Sequence, residues 1–204
     1  MVAIKIGDGT DTHATYQYRG TGTVVVEDYD EPEVMLDYRG TSHSYGGFDR
    51  FGRVVDQLWR DYGNSQDADR FLYGYDRAGN RTWRENDVAA NLATPVHLDE
   101  LYEYDDLYQL IASDRGNLNG TQDGIVSGTE GLAQDWDLDG LGNWTGFDED
   151  TDGDGSAELS QTRDHNEANE LTEIDSSTAD VAHDAAGRRT RRAEKSSPMT
   201  NESH

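Results

Sequence analysis

Residues Leu72–Arg84, LYGYDRAGNRTWR, decide how the chain reads. Along an extended strand the side chains alternate between faces, so Tyr73 and Tyr75 point the same way and can share one layer. Asp76 then opens a turn. Asp is favoured at the first position of a type I turn, where its carboxylate accepts backbone N–H groups two residues on. Gly79, three residues later, supplies the left-handed conformation that a bulged hairpin needs. The stretch is an incoming strand, a turn and the start of an outgoing strand.

The pattern returns along the chain, and a recurring unit takes precedence over any single motif. SYGGFDRFGRVV places Phe48 and Asp49 before Gly52, with Val54 and Val55 leading an outgoing strand through Trp59. ELYEYDDLYQLI has Tyr102, Tyr104 and Asp105, with Tyr108 at the glycine place. DWDLDGLGNW carries Trp136, Leu138, Asp139, Gly142 and Trp144. RDHNEANELTEI is a degenerate copy, with Asn166 at the Asp place and Asn169 at the Gly place. VAHDAAGRRT adds Val181, His183, Asp184 and Gly187. Successive turn residues stand 27, 29, 34, 27 and 18 positions apart. Such uneven spacing excludes a strict solenoid and fits hairpins of one design joined by variable loops, the longest over 115–131.

Outside the copies, Thr15–Tyr18, Thr23–Val26 and Val34–Tyr38 read as a hairpin and a further strand, with Glu27–Pro32 as the loop between the last two. Only Asn86–Ala93 and Asp175–Ala186 suggest short helices. Three regions follow: residues 1–40 are N-terminal strands that read as a degenerate repeat, 41–190 a hairpin array, and 191–204 a disordered polar and basic tail.

The 204 residues carry 17 Lys plus Arg against 42 Asp plus Glu, a formal net charge of -25. Nucleic acid and anionic membrane are disfavoured as partners by repulsion. Leu, Ile, Val and Phe together make up under a fifth of the chain, a share typical of disorder. Four Trp and 11 Tyr argue instead for a folded β protein that depends on its rings. With no cysteine, disulfides and thiolate metal sites are excluded. There is no targeting signal and no apolar run of membrane-spanning length.

These copies, above all YGYDRAGNRTWRE, YEYDDLYQLI and FDRFGRVV, resemble the YD-repeat, or Rhs (rearrangement hotspot), family over about residues 40–190. The resemblance implies an all-β fold: consecutive antiparallel β-hairpins in a curved or spiralling sheet, part of an open shell. Shells of this kind occur in teneurin ectodomains and in the cocoon components of insecticidal toxin complexes. Complete members are far longer and have a closing segment rich in Asp-Pro-x-Gly before a variable C-terminal toxin. This chain has three Pro and neither feature, so it reads as a fragment or short member. The implied role is a non-enzymatic structural module that encloses or displays a toxin, effector or other domain. Its partners would be further YD repeats of a larger chain or the enclosed domain, and such a protein would be secreted or at the cell surface.

The turn makers are Asp49, Gly52, Asp76, Gly79, Asp105, Asp139, Gly142, Asp184 and Gly187. Recurrence at one local position marks these acids as turn caps, because an active site needs its acid once or twice rather than in every hairpin. Tyr73, Tyr75, Tyr102, Tyr104, Trp136 and Trp144 are expected to form the apolar layer. The alternative is a cell-surface recognition module whose exposed rings bind carbohydrate. No cofactor is required. Calcium is the cation that the spacing of Asp148, Asp150, Asp152 and Asp154 would suit, although the bidentate Glu that closes such loops is missing and no flanking helices are evident. The six histidines show no metal-site spacing.

Overall fold

The computed structural model describes residues 2–6, 11–20, 22–38, 46–177 and 181. Its strands are β1 (Val2–Ile6), β2 (Asp11–Arg19), β3 (Thr23–Tyr29), β4 (Val34–Asp37), β5 (Asp56–Asp61), β6 (Gln66–Tyr75) and β7 (Arg81–Asn86). After the one-turn helix α1 (Asp87–Ala90) come β8 (Asp99–Tyr104), β9 (Leu110–Gly116), β10 (Leu132–Leu138), β11 (Trp144–Asp150), β12 (Leu159–His165) and β13 (Leu171–Ile174). All thirteen form one sheet in strict sequence order, each antiparallel to the next. The sheet does not close on itself: β1 and β13 are its two edges. The all-β hairpin architecture expected from the sequence is the observed one.

This meander sorts the connections onto two rims. The Asp49, Asp76, Asp105, Asp139 and Asn166 turns lie on one rim, between β4 and β5, β6 and β7, β8 and β9, β10 and β11, and β12 and β13. The opposite rim carries the irregular connections: the β5–β6 turn, α1 with the segment after it, and the loops over 117–131 and 151–158.

The sheet is a single layer. Among the described residues the buried apolar side chains are Ala14, Val25, Val26, Leu36, Ala89 and Val181. Val25 and Val26 are neighbours on β3 and therefore face opposite ways. No common core joins them, so the ladders, the turns and the cross-strand pairs carry most of the stability. At Gly74 the ring of Trp83, opposite on β7, lies where a Cβ would project. Only glycine admits that ring.

Three local expectations need correction. β3 runs to Tyr29, because Tyr29 still pairs with Val34 and its hydroxyl donates to Glu27 at 2.9 Å; the connection is Asp30–Glu33 rather than Glu27–Pro32. β5 begins at Asp56, because Val54 pairs back onto Phe48 within the turn. The helix expected over Asn86–Ala93 shortens to α1, capped by the Asn86 side chain accepting from Ala89 N–H at 2.8 Å. The second expected helix begins at Asp175 and Ser176, which have φ of 51° and 61° and form a reverse turn. Its remainder, apart from Ser177 and Val181, lies outside the described residues. So do Asp184, Gly187 and the 191–204 tail.

Candidate functional site

The repeated turn is one hydrogen-bonded device in five copies. In each, the N–H of the acid or Asn donates to the carbonyl four residues on: Asp49 to Arg53, Asp76 to Asn80, Asp105 to Gln109, Asp139 to Asn143 and Asn166 to Glu170, at 2.9–3.0 Å. One side-chain oxygen then accepts two backbone N–H groups. For Asp49 these are Phe51 and Arg53, for Asp105 Leu107 and Gln109, and for Asp139 Leu141 and Asn143, all at 2.8–2.9 Å. Asp76 takes Gly79 and Asn80 at 2.7 and 2.8 Å. The other oxygen is closed by a side chain four residues on: Arg53 at 2.6 Å, Asn80 at 2.8 Å and Asn143 at 2.9 Å.

The residue three positions on is left-handed in every copy, with φ of 81° at Gly52, 102° at Gly79, 63° at Tyr108, 84° at Gly142 and 61° at Asn169. From the Asp76 copy onward, the register slips by one residue beside the turn, opposite the incoming pairs Gly74 and Tyr75, Glu103 and Tyr104, Asp137 and Leu138, and Asp164 and His165. Thr82, Ile111, Thr145 and Thr172 are the extra residues on the outgoing strands.

These bonds set the carboxylate chemistry. At Asp76 burial acts upward, but the Asn80 side chain and the Asn80 and Gly79 N–H groups outweigh it and hold the group below the ordinary carboxylate value. Asp49 is lowered likewise, its burial outweighed by bonds from Arg53 and Phe51. Asp139 is lowered by Asn143 and Leu141. An acid held ionised with its oxygens filled is poorly suited to proton transfer.

Neighbouring turns are tied together. Tyr75, just before Asp76, donates its hydroxyl to the Val54 carbonyl at 2.8 Å, five residues beyond Asp49. Tyr104, just before Asp105, donates to the Arg81 carbonyl at 2.9 Å, five residues beyond Asp76. Arg53 Nη1 donates to the Asp76 carbonyl at 3.2 Å, and Asn143 Nδ2 to Asn169 Oδ1 at 3.1 Å. These contacts make the rim a row of stacked turns. No signal in a single repeat marks them, since they arise only once successive turns lie side by side.

The two faces of the sheet differ. On one, Phe71, Tyr73 and Tyr102 lie with Trp136 and Phe147 among arginines. Guanidinium groups sit over ring faces: Arg53 over Tyr75 at 4.5 Å, Arg81 over Tyr73 at 4.4 Å, Arg84 over Phe71 at 5.4 Å and Arg163 over Trp144 at 4.8 Å. Trp136, Trp144 and Phe147 form a triangle with centroids 5.7–5.9 Å apart. Glu100 accepts from Arg84 at 2.9 Å and Arg115 at 3.0 Å, and also from the Tyr102 hydroxyl. Burial and that Glu100 contact push Tyr102 up to about 12.

The six rings expected as core are only partly buried, and Trp144 is 40% exposed. Among the described residues no second layer covers them. Arg163 occupies one face of the Trp144 ring, where a sugar would stack.

On the other face, from β8 to β13, carboxylates dominate. Asp135 stands directly opposite Asp148, and Asp164 opposite Glu173. Burial raises Asp114, with Asp135 and Glu103 adding to it, and burial raises Asp135, with Asp148 and Asp137 adding.

At the β11–β12 connection, Asp150, Asp152, Asp154 and Glu158 each bring an oxygen within 4.8 Å of the others. Asp148 is not in the group: it lies in β11, paired with Ser160 and Asp135. Glu158, absent from the expected set, takes its place. Asp150 is 8% exposed and accepts from Asp152, Gly153 and Gly155 N–H at 3.2, 2.6 and 2.7 Å. Burial acts upward on Asp150, and those N–H groups hold it below the ordinary value. Glu158 accepts from Thr151 N–H and Oγ1 at 2.6 and 3.0 Å. The loop is organised by its own backbone: Asp152 and Asp154 are exposed and accept from Asp154 and Ser156 N–H at 3.2 and 2.8 Å.

Asp99, not singled out from the sequence, is 4% exposed and accepts from Asn86 N–H at 2.8 Å and Leu118 N–H at 3.0 Å. It staples the α1 connection and the 117–131 loop to β8.

No family model matches the chain, and no curated protein matches its sequence. Solved structures match its fold. A Photorhabdus luminescens Tc holotoxin pore is 15% identical with a TM-score of 0.62, over 91% of this chain and 10% of that one. The crystal structure of TcdB2-TccC3-Cdc42 is 14% identical with a TM-score of 0.63, over 94% of this chain and 10% of its own. TcdB2-TccC3 without its hypervariable C-terminal region gives 14% and 0.63, over 91% and 10%. The chain spans about a tenth of the length of these proteins, and its hairpin sheet is similar in fold to part of Tc toxin chains.

Proposed function

We propose that the chain is a wall segment of an Rhs-type shell, a non-enzymatic module whose sheet continues into further hairpins and encloses or displays an effector domain. The observation that carries this reading is the single-layer sheet of thirteen strands in sequence order, with turns stacked along one rim. Such a layer buries too little apolar surface to serve as a self-contained globule, and its edge strands offer unpaired N–H and C=O groups to more of the same. The fold similarity to Tc toxin chains supports the same reading. The lowered, fully bonded turn acids support a role in building the wall rather than in turnover.

The test is limited proteolysis of the natural polypeptide that contains this segment. A shell predicts a segment that resists protease while the wall is folded and is cut once the wall is opened by denaturant. If every part of that polypeptide is cut at the same rate in both states, the shell reading fails.

A further inference from the structure

The sheet has two halves that handle charge differently. In β5–β7 the face bearing Arg70 brings acids and arginines together: Arg70 pairs with Asp56 at 2.8 Å and reaches Asp87 of α1 at 3.5 Å, and Arg60 stands opposite Asp67. Glu85, with Asp99 and Asp87 near it, also has Arg70 in its surroundings. In β9–β13 the equivalent face has no such partner among the described residues. Arg115 and Arg163, the arginines of these strands, lie on the ring face, opposite Glu100 and beside Phe147. Asp135 therefore meets Asp148 directly, with Asp137 on its own strand and Asp114 on β9. Asp164 meets Glu173, and Asp175 sits close by, accepting from Thr162 N–H at 2.8 Å. The adjoining loops bring only acids: Glu130, Asp152, Asp154 and Glu158. Like charges directly opposite in a sheet oppose pairing, and their repulsion is screened by salt.

We propose that β9–β13 is an ionic-strength-dependent half of the sheet, which loosens in dilute salt and tightens as mobile ions screen its carboxylate face, while β5–β7 does not respond. This rests on the strand register alone and is independent of the shell reading. In a wall, it places the yielding region at one end of the sheet.

The test is amide hydrogen exchange of the chain at pH 7 with a calcium chelator present, at about 10 mM and about 0.3 M sodium chloride, where the screening length falls from roughly 30 Å to below 10 Å. Peptides from β10–β12 are expected to exchange about threefold or more faster in the dilute salt, with peptides from β5–β7 little changed. The double variant Asp135→Asn, Asp148→Asn is expected to remove most of the difference in β10–β11. Equal responses in both halves would show only the effect of net charge and overturn the proposal, as would salt-independent exchange. A double variant that responds like the parent would overturn it too.

Discussion

Replacing Tyr108 with glycine is expected to stabilise the chain. Tyr108 holds φ of 63° at the turn position that is glycine in three of the five described copies. A side chain in that region costs about 1–2 kcal/mol, whereas glycine gives back roughly 0.5–1 kcal/mol through the greater freedom of its unfolded chain. Tyr108 is 63% exposed, so little burial is lost. The net gain is about 0.5–1 kcal/mol, or roughly 1–4 °C in midpoint for a chain of this size. Urea and thermal unfolding followed by the tryptophan signal would measure it. Gly79→Ala, at φ of 102°, is the opposing control and should destabilise. If Tyr108→Gly lowers stability, contacts of the Tyr108 ring outweigh the strain of its left-handed backbone. If Gly79→Ala has no effect, the left-handed turn is not what shapes the unit.

Other consequences follow from the same contacts. Tyr75→Phe removes the bond to the Val54 carbonyl and should cost about 1 kcal/mol; Tyr75→Ala should cost about 2 kcal/mol, below the figure for a fully buried ring, since Tyr75 is half-buried. Asp99→Ala leaves the Asn86 and Leu118 N–H groups without an acceptor and should cost about 2–4 kcal/mol in a urea titration. Unfolding against pH should show a maximum in the mildly acid range. Asp114, Asp135 and Glu85 are raised when folded, so their charges oppose folding at neutrality and stability grows as pH falls towards their folded values. Asp49, Asp76 and Asp139 are lowered, so their contribution is full above the ordinary carboxylate value of about 3.9 and is lost as pH falls through their folded values. A stability profile without that maximum would contradict these assignments. Millimolar calcium should leave the thermal midpoint unchanged, because Asp150 and Glu158 already accept backbone N–H groups; a rise of several degrees would make the loop a metal site.

What was legible in the sequence was local. The Asp-x-x-Gly turn is decided within five residues, so even the copies with Tyr108 or Asn169 at the glycine place could be aligned. Strand ends were less legible: Asp148 and Asp150 belong to β11 because Ala133 and Asp135 pair with them, and a run of acids does not show where pairing stops. The Tyr75 and Tyr104 bonds and the Asp99 staple depend on segments 13–23 residues apart meeting. The rings were expected to make an inner layer. In a one-layer sheet they instead remain partly exposed and stack with arginines, an outcome set by the lack of a second layer among the described residues rather than by the rings themselves.

The repeated turns stand in an open row along one rim of a single sheet. The chain has no cysteine, so paired spin labels can be placed at the exposed tips Phe51, Leu107, Leu141 and Glu167 through cysteine substitutions, and their separations read by double electron–electron resonance. Each repeat advances two strands, about 10 Å. Distances from position 51 should therefore grow steadily, to about 20 Å at 107, about 30 Å at 141 and approaching 40 Å at 167, less a small amount for curvature. A separation that stops growing or shortens towards position 167 would mean that the sheet folds back or closes, and would contradict the wall.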